Sequence, residues 1–275
     1  MKVKEIPVSL SNQLRLTFAN KIGLTKGKPT IPVVVSLASI PSRLGIVHLT
    51  IKSIFNQDVL PEKIILWLHE DLKTEIPQKL AKLTGDLFSI KYTSYSSSHR
   101  KLVEPLKIFG DKIVVTCDDD MIYRKRWLSR LYECHQKKPT AIIGNQTRCI
   151  GYSDSGELLP YREWKSSSES CENLKRTLPI GAGGTLYPPN TLDDLVFDQK
   201  LFLDLAPKAD DLWFKAMALL KGTASIQAEN NGKEPIPIWG SQKVSLKKSN
   251  ITEDKNRTQW LALSQHFKLK LHSID

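Results

Sequence analysis

Val114-Val115-Thr116-Cys117-Asp118-Asp119-Asp120-Met121-Ile122-Tyr123 changes character twice. The β-branched, apolar run from Ile113 to Thr116 reads as a strand buried in a sheet. It stops at three consecutive carboxylates, and apolar residues resume at once. Like charges side by side at a strand end repel each other and require a counter-charge. A hard divalent cation would supply it, because Mg²⁺ and Mn²⁺ prefer carboxylate oxygen. The plainer alternative is a solvated acidic turn. In an α/β sheet, ligands sit at the carboxyl ends of strands, which favours the metal.

Working outward, the flanking sequence alternates between strand and helix signals. Ile31 to Leu37, Lys63 to Leu68 and Leu87 to Tyr92 read as strands preceding the central one, and Thr140 to Gly144 and Thr223 to Gln227 as strands following it. Helices are predicted from Leu44 to Phe55, from Pro77 to about Leu83, from Lys101 to Phe109 and from Arg124 to Lys137. Proline suits the first turn at Pro77, and Pro139 ends the last of these. Later helices are expected over Leu201 to Leu205, from Ala209 to Leu220 with a stop at Gly222, and after a Thr252 cap with Glu253 and Asp254 in its first turn. Such alternation implies an α/β fold with a mixed, mostly parallel sheet flanked by helices. Residues 1–30 read as an irregular arm or short helix. Residues 31–275 read as one domain, whose character changes after Gly144. The polar, serine-rich stretch from Asn145 to Arg176 is too long for a plain connector and suggests a functional loop.

The chain has 275 residues and a formal net charge of +11, which suits an anionic partner as well as simple solubility. Cations are spread along the chain, and no helix-turn-helix, zinc finger or aromatic RNA-binding signature is present, so nucleic acid is not expected. Cys117, Cys134, Cys149 and Cys171 show no metal-binding spacing and read as reduced thiols of a cytoplasmic protein. No signal peptide or bilayer-length apolar run is seen. Any membrane contact is expected to be peripheral, through basic residues such as Lys21, Lys26 and Lys28.

An Asp-x-Asp motif after a central strand, followed by Met121-Ile122-Tyr123 and a tryptophan-bearing helix, resembles GT-A fold glycosyltransferases of the bacterial surface-polysaccharide type (capsule or lipopolysaccharide). The resemblance spans roughly residues 31 to 221, and it implies a nucleotide-binding part over 31–144 and an acceptor-binding part over 145–275 of the one domain. It implies a Rossmann-like GT-A sheet and a metal-dependent, inverting transfer of a sugar from a nucleotide-sugar, with UDP as the commonest nucleotide, to a glycan or glycolipid acceptor. Asp118 and Asp120 would then ligate Mn²⁺ or Mg²⁺, with Asp118 and Asp119 near the donor. Asp211 would be the general base and Asp210 its neighbour at the donor. The family's usual pair is Glu-Asp, whereas here it is Asp-Asp. Without the resemblance, two acids at a helix start are explained by the helix dipole.

Gly181-Ala182-Gly183-Gly184 lacks dinucleotide-fingerprint spacing. The resemblance places Gly183 and Gly184 along the donor pocket, and a bend between strands explains them equally. Arg43, after the first strand, and Lys101 could pair with a diphosphate, or both could be surface cations. Lys247-Lys248 is a further candidate to close over phosphates. No C-terminal histidine matches a further metal ligand, since His266 sits in the last helix. A sugar-phosphate nucleotidyltransferase is the second enzymatic reading, although the connection Ala38 to Arg43 has no glycine. A basic nucleic-acid or membrane-surface binder is the third.

Overall fold

The computed structural model describes residues 5–166, 171, 173–229, 232–241 and 253–271. Thr252 and Lys247-Lys248 lie outside these.

Hydrophobic patterning places each strand where it can be covered on both faces. Strand β1 (Thr30–Ala38) is buried from Val33 to Leu37. Its side chains alternate between two layers. Val33, Val35 and Leu37 pack with Ile51 and Ile54 of helix α3 (Val47–Phe55), while Val34 joins Ile65, Trp67 and Phe109 on the opposite face. Strands β2 (Leu60–His69), β3 (Phe88–Thr93) and β4 (Ile113–Thr116) are all parallel to it, in the order β3-β2-β1-β4. Helix α3 occupies the connection after β1, α4 (Gln78–Ala81) that after β2 and α5 (Arg100–Ile108) that after β3. The sheet continues through β10 (Thr185–Tyr187) and β6 (Ile142–Gly144) to β11 (Ser225–Gln227). Only β10 runs antiparallel, so this seven-stranded sheet is mixed and mostly parallel, as expected.

The chain builds outward from β1 through β2 to β3, then returns to place β4 on the other side of β1. Adjacent connections therefore diverge at the carboxyl ends of β1 and β4, which opens a crevice there. The acid triplet lies at this point. It leads into β5 (Met121–Ile122), which pairs with β12 (Ile236–Pro237), and then into α6 (Trp127–Lys137). Trp127, Leu128 and Leu131 of α6 complete the core layer shared with α3.

A second core lies across the sheet. It collects Leu102 and Val103 of α5, Phe202 of α7 (Gln199–Leu205), Trp213, Phe214 and Met217 of α8 (Asp210–Lys221), and Trp260 and Leu263 of α9 (Lys255–His266). Gly222 ends α8 in the left-handed conformation that glycine tolerates best (φ 75°). The last helix begins later than expected, with Asp254 at its N-cap position.

Three expectations change. Residues 6–25 form two helices, α1 (Ile6–Phe18) and α2 (Lys21–Thr25), and Leu16 packs against Leu49, Ile122, Ile236 and Ile238. The arm is therefore joined to the body of the molecule. The polar stretch from Asn145 is partly a three-stranded antiparallel sheet, β8-β7-β9, made of β7 (Thr147–Cys149), β8 (Lys165–Ser166) and β9 (Thr177–Pro179). Finally, Cys149 and Cys171 form a disulfide, correcting the expectation of four reduced thiols; Cys117 and Cys134 are free and buried. The two cysteines lie 22 residues apart, and the fold of β7 against the returning chain brings their Cα atoms to 5.5 Å. No described helix is long and apolar enough to cross a membrane.

Candidate functional site

The backbone of the acid triplet is held from several directions. Cys117 N donates to Ser36 O of β1, Asp118 N donates to Tyr123 Oη, and Thr50 Oγ1 donates to Asp119 O at 2.8 Å. Ile238 N donates to Asp120 O. Tyr123 Oη in turn donates to Ala182 O, tying the triplet to the glycine-rich segment. The turn is therefore buried and rigidly placed, not a solvated loop.

The counter-charges come from the protein itself. Arg43 reaches Asp119 Oδ1 through Nη1 at 2.6 Å and Asp120 Oδ2 through Nη2 at 3.0 Å, so one guanidinium bridges two successive carboxylates. Ser39 Oγ also donates to Asp119. Lys101 Nζ lies 2.9 Å from Asp118 Oδ1 and 2.9 Å from Asp210 Oδ2. Ser98 Oγ donates to Asp210 Oδ1, and Gly181 N donates to Asp211 Oδ2 at 3.0 Å. The triplet thus has counter-charges from the protein itself, besides any cation it would hold. Folding brings Arg43 from the β1 turn and Lys101 from α5 to the strand end.

These groups line one cavity of roughly 560 Å³, walled on the other side by Tyr161, Ile180, Ala182 and Asn256. Asp118 is the most open member of the triplet, with a third of its side chain exposed, whereas Asp119 and Asp120 are nearly closed off. Burial, then the neighbouring Asp118 charge, pushes the Asp120 carboxyl up to about 7. Burial followed by repulsion from Asp210 pushes Asp211 up to about 7. Burial opposes ionisation at Asp210 too, but Lys101, His99 and the Ser98 hydrogen bond outweigh it, and its carboxyl is held below the usual range. Lys101 is likewise desolvated, yet Asp118, Asp210 and Asp211 keep its ammonium charged. Two adjacent aspartates are thereby split into one permanent anion and one proton exchanger near neutrality.

The glycines divide differently from expectation. A Cβ on Gly181 would lie 2.8 Å from both Asp211 Oδ1 and Lys101 Nζ, so the absence of a side chain there lets the ion cluster close. Gly183 and Gly184 do not line this cavity. A Cβ on Gly183 would meet the Gln146 side chain at 2.7 Å, and Gly184, at φ 89°, lies against the Trp127 indole, whose Nε1 donates to Gly183 O. Ser39, Ser98 and Arg100 belong to the site and were not singled out from sequence, whereas Tyr123 and Gly181 stood in motifs quoted above without a role of their own. Arg100 and Ser98 stand beside Lys101, so their sequence neighbourhood was a usable signal. Nothing local marks Ser39.

Asp118 and Asp120 offer the hard oxygen donors that Mg²⁺ or Mn²⁺ takes. Among the described residues no three acidic, histidine or cysteine side chains form a metal cage. Mg²⁺ needs only one or two carboxylates when phosphates and water complete its shell, so the donor set fits a cation that arrives with a nucleotide. His266 is exposed on α9.

A scan of protein-family models and a search of curated proteins return no match. Among solved structures, 4-diphosphocytidyl-2C-methyl-D-erythritol synthase from Anaerococcus prevotii aligns over 88% of this chain and 100% of its own, at 13% identity and a TM-score of 0.44. The CMP:2-keto-3-deoxy-manno-octonic acid synthetase complexed with CTP aligns over 79% of this chain and 97% of its own, at 11% identity and a TM-score of 0.41. The expected glycosyltransferase activity, and with it the role in surface-polysaccharide synthesis, is corrected here. The two solved structures reported are named as a synthase and a synthetase of cytidine-nucleotide products, and neither is named as a glycosyltransferase.

Proposed function

We propose that this chain is a nucleotidyltransferase that joins a nucleoside triphosphate to a sugar phosphate and releases pyrophosphate. The observation that carries this reading is the single cavity at the divergence of β1 and β4, where Arg43, Arg100 and Lys101 meet five aspartates. Its volume suits a nucleotide-sized ligand. Arg43, Arg100 and Lys101 supply positive charge for a polyphosphate, pre-positioned by buried carboxylates and so requiring little reorganisation when charge shifts. The connection after β1 has no glycine-rich phosphate cradle; a short helical turn (Pro41–Arg43) presents the guanidinium instead.

In this reaction an oxygen of the sugar phosphate forms a bond to the α-phosphorus, and the bond from that phosphorus to the pyrophosphate oxygen breaks. Asp211, with a pKa near the working pH, accepts the proton of an incoming phosphate monoanion. Lys101 fixes Asp210 and so keeps Asp211 the exchanging member of the pair. Mg²⁺ or Mn²⁺ would be held by Asp118 and Asp120 together with phosphate oxygens and water. Bound there, it would act as a Lewis acid on the phosphoryl oxygens.

The test is a panel of nucleoside triphosphates crossed with sugar phosphates in the presence of Mg²⁺, read as released pyrophosphate. The expected result is release that requires both substrates and is lost in Asp211→Asn. No pyrophosphate from any pair, in a chain that no nucleoside triphosphate stabilises against heat, would refute the proposal.

A further inference from the structure

The N-terminal helices carry an apolar surface that the fold leaves uncovered. In α1, Ser9 and Leu16 face inward: Leu16 enters the cluster with Leu49 and Ile238, and Ser9 Oγ donates to Pro237 O at 2.7 Å. Leu10, Leu14 and Phe18 recur every fourth residue and so share another side of the helix. Leu14 is 61% exposed, Phe18 84%, and Ile22, which follows in α2, 74%. Large apolar side chains standing in solvent at consecutive turns are unusual for a surface that faces only water.

Within the segment that carries this stripe the charge has one sign. Residues 6–28 contain Arg15, Lys21, Lys26 and Lys28 and no aspartate or glutamate. Lys52, from α3, reaches the end of α1 and donates to Leu16 O and Thr17 O at 2.9 Å each. Lys79 stands close enough to Lys52 to depress its pKa, with burial the larger cause. At the other end of α1, Trp239 N donates to Ser9 Oγ, and the Trp239 side chain is half-exposed. Exposed leucine, phenylalanine and isoleucine with a rim of lysine and arginine, and a tryptophan nearby, is the composition of a helix that lies in a membrane interface. An aqueous protein partner would have to match both the apolar stripe and the surrounding positive charge. An anionic lipid surface offers both together.

We infer that α1 and α2 form a peripheral docking surface for anionic lipid bilayers, with Leu10, Leu14, Phe18 and Ile22 entering the headgroup region and the exposed Arg15 and Lys26 facing lipid phosphates, while Lys21, Lys28 and Lys52 donate to carbonyls of the protein and add to the local positive field. This surface stands independently of the reaction proposed above. It also assigns part of the chain's excess positive charge to a partner.

Sedimentation of the full chain with vesicles tests it. Vesicles of phosphatidylcholine mixed with phosphatidylglycerol should carry the protein down, and pure phosphatidylcholine vesicles should leave it in solution. Leu14→Asp with Phe18→Asp should weaken binding at least about tenfold. Arg15→Glu with Lys26→Glu should weaken it about fivefold per charge lost, with added salt acting in the same direction. All four side chains are exposed, so unchanged thermal melts should accompany these losses. Failure to sediment with anionic vesicles would overturn the inference, as would equal binding by the Leu14→Asp, Phe18→Asp variant. A concentration-dependent dimer abolished by the same double variant would replace the lipid with a second copy of the chain.

Discussion

Lys101 is the residue on which the ion cluster turns. Its ammonium faces Asp118 and Asp210, and the Asp211 charge also acts on it, in a place from which water is largely excluded. Removing one partner from a buried charge group leaves the others uncompensated. Lys101→Met should therefore cost about 3–5 kcal/mol at neutral pH. Urea denaturation should show part of that loss recovered on acidification, as the stranded carboxylates take up protons. Gly181→Ala acts on the same cluster sterically: a methyl group would crowd Asp211 and Lys101, and urea midpoints should report a loss of about 1–3 kcal/mol.

Asp120 and Asp211 also set a pH dependence. Each has a folded-state pKa of about 7, against roughly 4 for an unfolded aspartate. Between those values the native state binds more protons than the unfolded one, so stability falls as pH rises. This contribution is complete below the unfolded value and is lost as pH climbs through about 7. Asp210, whose folded pKa is depressed, acts oppositely and only at acid pH. The unliganded chain should thus unfold at lower urea near pH ~8 than near pH ~5.5, and Asp211→Asn should flatten the difference. The proposed transfer reaction should run the other way, gaining rate as Asp211 deprotonates through about 7.

At the scale of elements, periodicity located most strands and helices because each has a long enough apolar face to mark itself. β10 was missed. Its Thr185-Leu186-Tyr187 follows directly on the glycine-rich segment, and it becomes a strand only because β4 and β6 present open edges on either side. The small sheet inside the polar stretch was missed for a related reason. β7, β8 and β9 are too short to carry a pattern, and they hold together through mutual pairing and the Cys149–Cys171 bridge. That bridge makes a distinct prediction. Cys171→Ser should cost about 2–4 kcal/mol of stability. Alkylation of the denatured, unreduced chain should label Cys117 and Cys134 and spare the other two, as mass spectrometry of the peptides would show.

At the scale of the whole molecule, two cores on opposite faces of one sheet hold the site's walls in register. The site draws Ser39 and Arg43 from the β1 turn, Ser98 and Lys101 from the entry to α5, the triplet from β4, and Asp210 and Asp211 from α8. The α8 side rests on the second core, where Trp260 of α9 is fully buried and its Nε1 donates to Tyr152 Oη at 3.1 Å. Trp260→Ala should cost about 3–5 kcal/mol by calorimetry or urea. It should also loosen the α8 wall, although Trp260 does not line the cavity.

The sequence by itself determined the α/β architecture, the central strand ending in acids, and the candidacy of Arg43, Lys101, Asp118, Asp119, Asp120, Asp210 and Asp211, because burial periodicity and charge density are written locally in the chain. Only the tertiary structure decided how those charges pair, that Gly181 is the glycine packed against the ion cluster, and that two cysteines meet. Pairing depends on distances between residues remote in sequence. An aspartate reads the same whether its counter-charge will be a metal ion or an arginine carried in by another loop.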